Sequence, residues 1–313
     1  MKQLALVSVL SAMAASACAL SPEPTTTGDE TADPATELAP ADAQGVSWTR
    51  EEATQRALER RRLQNPNMTF HGGKVMGTAV TKNIFWGTSW ASYSGDKMTG
   101  LDTWYSGYSN SNYSGTVTEY TGSNGAIGRA TTHQGHVVDT SAASGGGNTA
   151  AILAEVCKEI TSPDPGGNGY YAVYTDLPRG SASYCAWHAS GTCGGTPVQF
   201  AFFWKLDGDS GCDPQDTSGL HSQGLAALAN VTGHELSEAR TDPSTTSSTG
   251  SPGWYDGAGS ENGDKCAWTW AGPLATFSNG SQWKVQGEWS NAAYTAGSGY
   301  ANSSGQKGCI GGL

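Results

Sequence analysis

Residues 224–243 read GLAALANVTGHELSEARTDP, and this stretch decides how the rest of the chain is organised. Alanine and leucine fill it, and Pro243 ends it by excluding Asp242 from the α region, so the stretch reads as one helix. At about 100° per residue, Leu225, Leu228, Thr232 and Leu236 share one face, and Ala227, Val231, His234 and Glu238 lie opposite. Apolar residues on both sides predict a helix buried inside a domain. His234, Glu235 and Glu238 are costly to bury without partners, so the interior must supply them.

The i, i+4 spacing stacks His234 over Glu238, where both reach a single ion, and Glu235 is rotated to its side. That is the logic of the HExxH zinc helix, whose central Glu is a general base. Here Glu238 takes the second ligand position, giving HExxE. A second acidic cluster, Glu261-Asn262-Gly263-Asp264, follows after a loop. The pattern resembles gluzincin-type peptidases, in which a later Glu is the third ligand and an Asp nearby orients the first His. The resemblance implies Glu261 as third ligand and Asp264 behind His234, with Zn2+ held by His234, Glu238 and Glu261 and with Glu235 as catalytic base. Two carboxylates and one imidazole neutralise the ion more than two imidazoles do, which makes a poorer Lewis acid. Such a set also admits harder ions such as Mn2+ or Ca2+.

The 313 residues carry a net charge of −11 and no basic run in the body of the chain, which argues against nucleic acid as a partner. With 43 glycines, long loops and short strands are expected, and eleven Trp and twelve Tyr stand in for leucine in the core. Residues 1–17 read as a secretory signal, too short for a membrane span. Ala15-Ser16-Ala17-Cys18 resembles a lipobox with Cys18 as the lipidated residue, and plain secretion is the alternative. Of seven cysteines, setting Cys18 aside leaves Cys157, Cys185, Cys193, Cys212, Cys266 and Cys309, enough for three disulfides in an oxidising compartment. Only Cys185–Cys193 is suggested locally, as a short closed loop.

Residues 18–45 are acidic and rich in Pro and Thr, a disordered tether. Residues 46–66 hold a charged helix that opens on the capping-box pattern Thr49-Arg50-Glu51-Glu52 and runs to about Gln64. The domain proper is residues 67–313. Strands are expected at 74–79, 81–86, 170–174, 198–204 and 283–289, and helices at 100–108 in part and at 149–160. Helices alternating with strands ahead of the HExxE helix predict an α+β, zincin-like fold, a mixed β-sheet packed with helices around that helix.

HGGKVM (71–76), IFWG (84–87), YCAWH (184–188), GHELSEARTDP (233–243), ENGDKC (261–266) and the Trp-flanked strand at 283–289 together resemble the EXORDIUM-like, phosphate-induced proteins of plants and their bacterial relatives. The resemblance spans about residues 71–309. It implies an exported protein of the cell wall or cell surface and supplies no established reaction. The function expected is an exported metallohydrolase acting on a peptide, protein or cell-wall substrate. The alternative is a non-catalytic cell-surface binding protein on a metallopeptidase-derived scaffold.

Among the other polar residues, His188 is an additional ligand, a substrate contact or a structural histidine. His133 and His136 read as structural, with Gly135 marking a turn, and His71 as the opening of a strand. Asp207, Asp209, Asp213 and Asp216 read as an Asx-rich turn ahead of a calcium site. Trp254 and Tyr255 line a cleft or pack the loop after the helix.

Overall fold

The apolar runs YYAVYT (170–175) and VQFAFFW (198–204) form adjacent parallel strands inside a six-stranded mixed sheet. In the computed structural model the described residues are 39–60, 65–244 and 249–313. The expectations for the leader, Cys18, the tether as far as residue 38 and the chain just past Arg60 lie outside them. The strands are β1 (Gln44–Trp48), β2 (Ala79–Trp86), β3 (Thr131–Asp139), β4 (Gly169–Pro178), β5 (Tyr184–Cys193) and β6 (Thr196–Lys205), in the order β1-β5-β6-β4-β2-β3. β2, β3, β4 and β6 are parallel, β5 runs against β6, and β1 runs against β5. The near-continuous apolar sequences of β4 and β6 suit strands covered on both faces.

Helices α1 (Arg50–Arg60), α2 (Lys97–Tyr108), α3 (Thr149–Glu159), α4 (Gln223–Thr241) and α5 (Asn262–Lys265) complete the frame. Alternation along β5 sorts its two faces. Trp187 donates from Nε1 to Gly146 O at 2.9 Å, and a Cβ on Gly191 would meet Leu153 of α3. His188 turns the other way, to α4. The fold is therefore α+β, with α4 against the mixed sheet.

Ser222 caps α4 by accepting from Leu225 N at 3.2 Å, and the helix stops at Thr241, just ahead of Asp242-Pro243. Every residue from Gly224 to Thr241 is buried, as the two-sided apolar pattern predicts. Leu225 packs over Gly100 of α2, and Thr232 Oγ1 meets Tyr174 Oη at 2.8 Å. A second small core of Met68, Val75, Val117, Tyr120, Ile127 and Trp289 lies under the C-terminal segment.

Three expectations need correction. Residues 74–78 are not strand. The backbone N–H of Gly73 bonds Pro252 O and that of Met76 bonds Arg240 O, so these amides are committed outside the sheet and β2 begins at Ala79. The 283–289 strand is broken into Gln282–Trp283 and Glu288–Trp289, because Gln286 N donates to Asn230 of α4 and Gly287 N to Thr269 O. The cysteine pairs are Cys157–Cys193, Cys185–Cys212 and Cys266–Cys309. Cys185 and Cys193 sit near opposite ends of the extended β5, roughly 26 Å apart at the usual rise per residue, so they cannot close a loop. All six cysteines among the described residues are paired, which fits an oxidising environment. Among the described residues, no helix is long and apolar enough to cross a membrane.

Replacing Cys185 and Cys212 together by Ala should lower the unfolding free energy by about 2–5 kcal/mol in a denaturant titration. Mass spectrometry of the unreduced protein should recover the three bridges above, and a Cys185–Cys193 peptide would contradict the strand.

Candidate metal centre

Two histidines and four carboxylates meet where α4, β5, β1 and α5 come together. His188, Glu235 and Glu238 are fully buried, and His234 and Glu261 are 1% and 2% exposed. His234 Nε2 lies 3.1 Å from Glu238 Oε1 and 4.0 Å from Asp264 Oδ1. His188 Nδ1 lies 3.2 Å from Glu235 Oε2 and 3.8 Å from Glu238 Oε2, while His188 Nε2 is 3.8 Å from Glu261 Oε2. Donor atoms of His234, Glu238 and Asp264 lie within 4.8 Å of one another, as do those of His188, Glu235 and Glu238. Glu238 therefore joins two sets that are each able to hold a metal ion.

The hydrogen bonding of the cluster is incomplete in a way that suits a cation. Among the described residues, His188 Nε2, His234 Nε2 and Glu238 Oε2 are buried and make no aligned hydrogen bond. Orphaned polar atoms at such depth are costly, and these three face one another's neighbours rather than water. The described ion pairs of Glu235, Glu238 and Glu261 are all with these histidines. Four carboxylates against two imidazoles leave an excess of negative charge that a divalent ion would neutralise.

The titration behaviour follows from that crowding. Burial raises the Glu235 carboxyl well above the usual range; the charge of His234 opposes the rise and that of Glu238 adds to it. Burial raises Glu261 in the same way, reinforced by Glu238, Asp242 and Asp264. Burial alone would lower His234, yet the charge of Glu238 beside it pushes it up to about 10. His188 is lowered by burial and stays neutral.

Each element places its side chain for a local reason. Helical spacing sets His234 and Glu238 on one face, as the sequence predicts, with Glu235 beside them. Asp264 comes from the short α5, where its Oδ2 accepts from Glu261 N at 3.2 Å and its own N–H donates to Glu238 Oε1 at 2.8 Å. Asp264 thus stands in front of His234 Nε2, whereas the sequence placed it behind the ring. The residue behind is Gln286, whose Nε2 is 3.1 Å from His234 Nδ1 and donates to Gly263 O at 2.8 Å. Glu261 comes close to His188 rather than to His234. His188 belongs to the cluster.

β1 lies directly over the centre. Gly45 is a bulge at φ 42°, and a Cβ there would fall 2.1 Å from both Glu238 Oε2 and His188 Cε1. Ser47 N donates to Glu235 Oε1 at 3.0 Å. A cleft of about 320 Å3 opens beside it, between β1 and the loop carrying Tyr255, Glu261 and Asp264. Neither β1 nor Gln286 was picked out from the sequence. A five-residue strand with a glycine has too little pattern, and an amide inside an alternating stretch carries no charge signal.

The remaining polar residues lie elsewhere. His133 Nε2 and His136 Nδ1 both bond Asp102, at 2.9 and 2.6 Å. Gly135 at φ 72° makes a bulge within β3 rather than the expected turn, which lets both rings face α2. Asp209, Asp213 and Asp216 accept from backbone amides two or three residues on, in the Asx-turn manner. Asp207 pairs with Lys97. His71 follows the two-residue strand Thr69–Phe70 instead of opening it, and stacks on Tyr255 at 3.6 Å between ring centroids. Trp254 packs against Tyr120 and Phe70.

No protein-family model matches this chain, and comparison with curated proteins and with solved structures returns no match.

Because Glu261 and His234 both hold protons more tightly in the metal-free cluster, an incoming cation must expel them. Zn2+ binding should therefore release protons, and its affinity should rise by about tenfold per pH unit for each proton released around neutrality. Calorimetric titrations in buffers of different ionisation heat measure the count directly.

Proposed function

We propose that the chain is an exported, zincin-like metallohydrolase related to the EXORDIUM-like proteins, and that its centre is a zinc peptidase site. The observation that carries this reading is the convergence of His234 Nε2, Glu238 and Asp264 at the middle of a wholly buried helix, with Glu235 beside them. A mixed sheet followed by the HExxE helix is the element order that reading requires. His234 and Glu238 would hold Zn2+ with a third oxygen from the 261–264 turn, where Asp264 is nearer His234 and Glu261 nearer His188. When bound, the ion would polarise the scissile carbonyl and acidify a water.

The chain's own groups supply the rest. Glu235 takes the proton of the attacking water and returns it to the departing amine nitrogen. His188, whose ring burial disfavours charging, places Nδ1 3.2 Å from Glu235 Oε2 and fixes the orientation of that carboxyl group. Gln286 and Asn230 hold the back of the His234 ring in place through the 263 carbonyl and the 286 amide. Partly exposed Tyr255 and Trp48, which line the cleft, offer aromatic surface to a peptide or a wall glycan.

One observation favours the second reading, a binding protein that performs no chemistry. β1 and His188 lie over Glu235 and Glu238, which are fully buried, so the centre meets the cleft only on the side of Glu261 and Asp264.

Replacing Glu235 by Gln should leave zinc content and folding intact while lowering peptide hydrolysis by about 10²–10⁴. His234→Ala or Glu238→Ala should abolish stoichiometric zinc. Comparing Asp264→Asn with Glu261→Gln by elemental analysis identifies the third ligand. Wild type that holds zinc but cleaves nothing in a diverse peptide library would favour the binding protein, and loss of zinc from Glu235→Gln would sink the ligand assignment.

A further inference from the structure

We propose that the groove along β5 is a subsite for an extended polypeptide, and that residues 43–48 of this chain occupy it in cis as a pseudosubstrate. The proposal rests on the peptidase reading of the centre and adds the form of its ligand. Without β1 the sheet has five strands and β5, its one antiparallel member, is an edge with unpaired backbone groups beside the centre. Such an edge accepts an extended chain by strand addition, with affinity from the main chain and selectivity from flanking pockets.

β1 has the attributes of such a guest. It pairs antiparallel with β5 from Gln44 opposite His188 to Trp48 opposite Tyr184, although more than a hundred residues separate the two strands. What reaches the centre is its backbone: Gly45 lies against Glu238 and His188, and Ser47 N–H holds one oxygen of Glu235. Both Glu235 oxygens are thereby engaged, Oε1 by Ser47 N and Oε2 by His188 Nδ1 at 3.2 Å. The bulge at Gly45 breaks the register between Gln44 and Val46, so the segment's peptide group is not presented as an unbulged substrate would be. A strand that blocks the groove without being cut has this form. The segment is anchored by contacts at the rim. Trp268 Nε1 donates to Trp48 O at 2.9 Å, Arg56 lies 3.6 Å over the Trp48 ring, and Thr49 N donates to Ser183 O at 2.9 Å. Side chains small enough to pass Gly45's position over Glu238 are accordingly preferred in a competing ligand.

The test uses the full chain and the labelled peptide AQGVSWTR, the sequence of residues 43–50. Ser47→Pro removes the amide held by Glu235, and Trp48→Ala removes the ring that Arg56 covers while keeping every amide, which covers the case in which the proline variant does not fold. Hydrogen exchange of the 44–49 amides should quicken in both. Because a hydrogen bond to a carboxylate is worth about 1.5–3 kcal/mol, peptide binding by fluorescence anisotropy should tighten at least about tenfold in Ser47→Pro. Hydrolysis of a peptide library should rise by a similar factor and fall again when AQGVSWTR is added in excess. Unchanged peptide binding in both variants overturns the proposal, as does a wild type already as active as the variants. Tighter peptide binding with zinc present and no hydrolysis anywhere would instead sink the peptidase reading and leave the strand subsite standing.

Discussion

The burial of charge on one helix is the constraint on which the rest of this structure depends. α4 has no solvated face, yet it carries His234, Glu235, Glu238 and Arg240 into the interior. Arg240 is resolved simply, by the Tyr108 hydroxyl at 3.0 Å and the Gly128 carbonyl. The three residues of the HExxE motif are not, and every element that touches them brings a polar group: β1 an amide, β5 an imidazole, α5 two carboxylates, the 282–289 segment a glutamine and a glutamate. Glu288, also buried and raised well above the usual carboxyl range by burial, accepts from Tyr113 Oη at 2.8 Å behind this layer. Ionisable groups gathered this densely are destabilising unless something compensates, and interiors retain them where chemistry requires it.

Much of this was legible in the sequence. The fully buried helix followed from apolar residues on two faces, and the spacing of His234 and Glu238 from the helical repeat. The apolar runs of β4 and β6 announced central strands, and the α+β class followed from the order of elements. What could not be read depended on tertiary partners. The cysteine pairing was hidden because nearness in sequence is misleading once Cys185 and Cys193 share one extended strand. β1 was divided between the tether, which took Gln44 and Gly45, and the charged-helix segment, which took Val46 to Trp48, because its five residues acquire strand character only from β5. The 283–289 alternation suggested a continuous strand, but Asn230 and Thr269 draw the amides of Gln286 and Gly287 away from any ladder.

The two histidines also show how backbone geometry assigns roles that composition cannot. Helical spacing makes His234 a partner of Glu238 in any environment. His188 enters only because alternation on β5 turns it toward α4 while Trp187 turns toward Gly146. A one-residue slip of that strand would exchange them and put an indole into the cluster. The register of β5 is secured by its bonds to β6 along its length and by the bridge from Cys185 to Cys212.

The bridge between Cys266 and Cys309 braces the cluster from outside. It ties α5, with Glu261 and Asp264, to the strand Lys307–Ile310, 43 residues further along the chain. The carboxylates on that turn are thus held beside His234 and His188 by a covalent tie as well as by the hydrogen bond from Asp264 N to Glu238. The geometry of the cluster is thereby coupled to the redox state of a bridge that lies outside it.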